Sequence, residues 1–119
     1  MSGPATDPAT DPAIDPSRVA DLLEAAAATI LAEVEALGGL AKWRPAPAEW
    51  SANECLGHIF EAERRGFNGR IRTILAEDRP VLRGWDQVGV AVARRDHERR
   101  PAELLAEFLP LRADSIDLV

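Results

Sequence analysis

Three stretches of this chain repeat large apolar residues at three- and four-residue steps, and polar or proline-rich segments separate them. The most informative begins after Trp50. There Leu56, Ile59, Phe60, Phe67, Ile71 and Ile74 fall on one stripe at about 100° per residue, the pattern of an amphipathic helix with an inward face. Ser51 with Glu54 three residues later marks its start as a capping box: the Ser51 hydroxyl accepts from the Glu54 N–H while the Glu54 carboxylate accepts from the Ser51 N–H. Trp50 before the cap is placed to pack on Cys55 as a hydrophobic staple. Pro80 stops the pattern, so a continuous helix is predicted from Ser51 to about Glu77. A second side of it carries only small residues, Cys55, Ala62, Gly66, Gly69 and Thr73, where a neighbouring helix or a ligand can approach the backbone.

The first stretch starts at Asp15, a good N-cap with Pro16 in the first helical position, and continues through Val19, Leu22, Leu23, Ala26, Ile30, Val34 and Leu37 until Gly38 and Gly39 end it. The segment from Leu40 to Glu49, with Pro45 and Pro47, reads as an ordered loop across the bundle end. After Pro80 the chain is irregular, with Trp85 as an anchor onto the core and a short helix expected over Gly89–Arg95. Pro101 opens the last helix, in which Leu104, Leu105, Phe108, Leu111, Ile116 and Val119 can face inward and Pro110 removes one internal hydrogen bond. No strand pattern occurs anywhere, so the fold class is all-α, an up-down helical bundle with a long crossover after its second helix. The apolar pattern still runs at the last residue, which predicts a bundle lacking one helix.

Composition narrows the picture. At 119 residues, 46% of them hydrophobic, the chain supports one small domain, expected over residues 16–119. Residues 1–16 hold the repeat PATDPATDPAIDP, which predicts a disordered tail over residues 1–15. A net charge of -6 argues against a nucleic-acid binder, no apolar run is long enough for a membrane span, and one cysteine excludes an internal disulfide. With no signal-peptide pattern, a cytoplasmic location is expected. Between Arg64 and Arg100, however, ten arginines face five acids. Such a run is ordinarily a solvated surface, and the competing reading is an anion or phosphate site.

His58 lies about 200° around the helix from Leu56, between the small-residue side and the charged positions Glu54, Glu61, Arg65 and Arg72. Spacing alone makes it an exposed histidine; a cleft beside small residues would make it a ligand. Glu54 and Glu61 are read as a cap and a surface acid, with weak ligation as the alternative, and Cys55 as packing rather than a nucleophile. His97, in the polar run RRDHERR, is read as a surface residue.

The stretch WRPAPAEWSANECLGHIFEAERR, with its W-R-P-x-P-x-E-W-S opening and L-G-H-I turn, resembles the DinB-like superfamily, as does the closing run PAELLAEFLPLRADSIDLV. That family includes YfiT-type metal-dependent hydrolases and thiol-dependent S-transferases. The resemblance covers about residues 19–119 and implies a four-helix bundle of which the fourth helix is absent from this chain. It also implies a divalent metal, nickel or zinc, held by three histidines. Only His58 maps onto that triad; the other two belong to an H-x-x-x-H pair on the fourth helix. The implied function is therefore metal-dependent hydrolysis or thiol-dependent transfer on a small-molecule substrate, with no tight metal binding by this chain alone. The alternative is a non-catalytic helical module whose unpaired apolar stripes associate with another chain, most simply as a homodimer.

Overall fold

The computed structural model describes residues 15–119; the tail expected over residues 1–15 lies outside them except for Asp15. Helix α1, Pro16–Leu37, starts as the sequence predicts, with the Asp15 carboxylate accepting from the Ser17 N–H. It ends at Gly38, at φ 52°, whose N–H bonds back to the Val34 carbonyl. Ala27 and Val34 are its buried residues, with Ile30 and Leu31 packed beside them, whereas Leu22 faces solvent. A tight 3-10 turn, Gly38–Lys42, then seats Ala41 in the interior.

The second long helix spans the predicted stretch without a break, but its winding is not α throughout. Helix α2, Ala52–Glu61, gives way to a π-helical segment, Ala62–Asn68, followed by α3, Gly69–Ala76. The wider winding has a visible cause. Glu63 and Asn68, five residues apart, would sit about 140° from each other on an α-helix, but i→i+5 winding narrows that angle and brings them to one face. Both then reach Ser115 on the last helix: the Ser115 hydroxyl donates to Glu63 (3.1 Å) and the Asn68 amide donates to the Ser115 oxygen (3.1 Å). The same winding sets the Arg64 carbonyl against Gly69, where a Cβ would come within 2.5 Å of it.

The crossover contains α4, Gln87–Arg94, which begins two residues earlier than its apolar pattern predicts because the Asp86 carboxylate accepts from the Gly89 N–H. A 3-10 turn, Asp96–Glu98, leads into α5, Pro101–Leu118. Helix α5 runs through Pro110, which lies on the exposed side, where the carbonyl left without its donor can meet water. Leu104, Leu105 and Phe108 are buried as predicted, but Leu111 and Ile116 are only half-buried and Val119 is exposed; Arg112 and Ser115 hold the inward positions instead.

Helix α5 is the shared partner of the bundle, packing on α1 along one side and on α2 and the π segment along the other, while the turn Gly38–Lys42 closes the end. Ala27, Val34, Leu56, Leu104, Leu105 and Phe108 form the core, supported by Ile30, Leu31, Phe60 and Leu109. The predicted all-α bundle is thus the observed one, and no strand occurs among the described residues.

Candidate functional site

Helix α2 is the framework of the site, because its capping box forms as expected and fixes the direction of its first turn. The Ser51 hydroxyl accepts from the Glu54 N–H (3.2 Å) and the Glu54 carboxylate accepts from the Ser51 N–H (3.1 Å). The staple expected beside it does not define the local packing. Trp50 turns its ring to His58, with ring centroids 5.3 Å apart, while Cys55 is exposed. Trp85, expected as a core anchor, stands near His58 as well, at 6.0 Å between centroids. His58 is therefore half-buried between two indoles, one from the loop before α2 and one from the crossover. Its Nδ1 is buried and has no hydrogen-bond partner. Among the described residues, Asn53 Oδ1 is the other buried side-chain atom of α2 without a partner.

The neighbouring acids are committed elsewhere. Glu54 is buried, and Arg44 grips it with two hydrogen bonds of 2.8 Å. Those bonds, with help from Ser51, hold its carboxyl down at about 2. Glu61, expected at the surface, is 3% exposed and receives Arg64, Arg65 and Arg94. Burial pushes its carboxyl up, but the hydrogen bonds from Arg65 and Arg64 outweigh it, and the net shift is downward.

Beyond them lies a buried ionic web that no local pattern announces. Arg94 reaches Glu61, Asp96 and Glu107 together, and Asp96 also receives Arg99. The Asn53 amide donates to the Asp96 and Arg99 carbonyls at 3.0 and 2.8 Å, tying α2 to the crossover. His97 is half-buried rather than free at the surface; its Nδ1 lies 3.2 Å from the Arg44 guanidinium, which has no lone pair and so makes the imidazole nitrogen the acceptor. The closest approach to the α2 backbone occurs at Gly57, against Asp96 of the crossover. Cys55 lines an apolar groove between α1 and α2, and burial together with the Glu54 charge raises its thiol, which disfavours a nucleophilic role.

These positions test whether a nickel or zinc ion fits. The uncommitted Nδ1 of His58 suits a metal donor, but no group of three or more histidine, cysteine or acidic side chains is arranged for a metal among the described residues. One imidazole is short of the three protein donors of a catalytic zinc site. The described residues do not complete a metal centre, and no chemical step is assigned to one.

A family model described as the DinB superfamily matches residues 22–119. No curated protein and no solved structure matches the chain.

Proposed function

The chain belongs to the DinB superfamily, and from that footing we propose that His58 is a metal donor of a DinB-type hydrolase or thiol-dependent transferase acting on a small molecule. The observation that carries this reading is the buried, unpartnered Nδ1 of an imidazole held by Trp50 and Trp85. A buried polar nitrogen without a partner is costly, by about 1–3 kcal/mol, unless something binds it. The further donors of a working centre would have to come from groups other than Glu54 and Glu61, which their arginines occupy. The two indoles supply the assay. Nickel titrated into the protein should quench their fluorescence weakly, without submicromolar affinity, and the effect should vanish in His58→Ala but survive in His97→Ala. Quenching that His58→Ala leaves intact would remove His58 from the proposal.

The groove between α1 and α2 supports a second reading, an associating helical module whose partner is another copy of the chain. Ile30, Val34, Leu37, Leu56 and Ile59 line a cavity of about 250 Å³, and both Leu37 and Ile59 remain more than a third exposed. Each large apolar side chain withdrawn from water contributes roughly 1.5–3 kcal/mol. A two-fold pairing would let each copy offer its own exposed α1 side chains to the other's groove. Sedimentation equilibrium at micromolar concentration should give a dimer, and Ile59→Glu should give a folded monomer. A wild-type monomer with concentration-independent unfolding would eliminate this second reading.

A further inference from the structure

Arg65 of the π segment, α3 and the segment 81–85 line an open cavity of about 350 Å³, with Trp85 in its wall. Its size is in the range of small-ligand sites, which begin at about 300 Å³. Its charge is one-sided: Arg65, Arg70 and Arg83 line it, and no carboxylate does.

The pairing of the arginines gives that imbalance meaning. Of the ten arginines between Arg64 and Arg100, seven form an ion pair among the described residues. Two of the three that do not, Arg70 and Arg83, line this one cavity. The Arg70 Nε is buried without a hydrogen-bond partner, and its Nη2 makes only a long bond, 3.4 Å, to the Arg83 carbonyl. Thr73, also in the wall, donates its hydroxyl proton to the Gly69 carbonyl, which leaves the guanidinium groups as the cavity's charged donors, with the Trp85 indole N–H beside them. The remaining wall is apolar, made by Val81, Leu82 and the Trp85 ring. Trp85 is itself held under the Arg65 guanidinium, 5.7 Å from its centroid.

We propose that this cavity binds a small organic anion, its phosphate or carboxylate head held by Arg70 and Arg83 beside Arg65 and its apolar body lying against Leu82 and Trp85. A guanidinium presents several fixed N–H donors and matches either head in a two-pronged geometry. The unpaired Arg70 Nε and the absence of any lining acid are what such a head would satisfy. Trp85 is shared between this wall and the surroundings of His58, although His58 itself does not line the cavity.

The test uses the full chain and three probes of similar shape: phenyl phosphate, benzoate and neutral phenol. Trp85 fluorescence and titration calorimetry should show saturable one-site binding of at least one anion and none of phenol. Arg83→Gln and Arg70→Gln should each weaken it tenfold or more, whereas Arg100→Gln, which alters an exposed arginine pairing with Glu103, should leave it unchanged. Saturation by phenyl phosphate alone assigns a phosphate ester, and saturation by both anions assigns an anionic head of either kind. Binding retained in His58→Ala separates this site from the metal reading. Arg83 is exposed, so its variant should keep the fold even where Arg70→Gln does not. Failure of both anions to saturate, or equal weakening by Arg100→Gln and Arg83→Gln, would overturn the proposal.

Discussion

Gly57 packs its bare Cα against the carboxylate of Asp96, so that a Cβ at this position would run into the acid. Asp96 is 2% exposed and cannot swing aside freely, because Arg94 holds one oxygen at 2.8 Å and Arg99 the other at 3.3 Å. A helical alanine would ordinarily gain about 1 kcal/mol over glycine. Here the added methyl must break the Asp96 contacts or displace α2, an overpacking cost of about 1–3 kcal/mol on top of the lost pairing. Gly57→Ala should therefore destabilise the protein by roughly 2 kcal/mol in urea unfolding, while Gly66→Ala, with open space around it, should be stabilising by up to about 1 kcal/mol. Equal stability of the two variants would contradict the contact.

The Glu63–Arg112 pair makes a second, different demand. Both side chains are less than a tenth exposed, 2.7 Å apart, and Arg112 also donates to the Leu23 carbonyl and covers the Phe108 ring. Removing one partner strands the other charge in the interior, at a cost of about 3–5 kcal/mol. Glu63→Ala should show a loss of that order by chemical denaturation. The double variant Glu63→Leu with Arg112→Met, which removes both charges and restores apolar volume, should recover most of it. A double variant as unstable as Glu63→Ala would mean that the hydrogen bonds to Ser115 and Leu23, rather than charge burial, dominate.

What the chain revealed in advance, and what it hid, divides along the range of the interactions. Asp15, Ser51 with Glu54, and Pro101 act within one helical turn, and each helix start was legible from them. The apolar stripe of the second helix was also legible, but it located only part of the inward face. Ile59 and Ile74 stay exposed while Asn53, Glu54, Glu61 and Glu63 are buried. Hydrophobic periodicity assigns such polar residues to solvent; partners far along the chain, Arg94 for Glu61 and Arg112 for Glu63, join nearer ones such as Arg44 for Glu54 in making their burial tolerable. The π segment was hidden for the same reason, since its register answers to Ser115 on another helix. His58 was found as a candidate from its motif, yet its Trp85 neighbour comes from a crossover that carries no periodic signal. The arginine-only run was the visible trace of both the ionic web and the basic cavity, without indicating how its members would divide between them.

Acid should expose the contribution of Glu54. Its carboxyl falls from an ordinary 4.5 to about 2 in the folded protein, chiefly through its hydrogen bonds from Arg44. A group depressed on folding stabilises the native state fully above its unfolded value, and that contribution is lost as pH falls through about 4.5 toward 2. The shift corresponds to about 3 kcal/mol at 1.36 kcal/mol per pH unit, and solvent at the partly exposed Arg44 reduces this to about 2 kcal/mol. Glu54→Gln keeps an oxygen for the Ser51 N–H but cannot ionise. In urea unfolding between pH 3 and 7, wild type should exceed Glu54→Gln by a constant margin above pH 5, and the margin should narrow as the pH drops to 3. Arg44→Met should shrink the margin and bring its loss to completion at a higher pH, because the folded carboxyl then loses the partner that holds it down. A margin that stays unchanged down to pH 3 would show that Glu54 stabilises the helix start through its hydrogen-bond geometry alone and not through its charge.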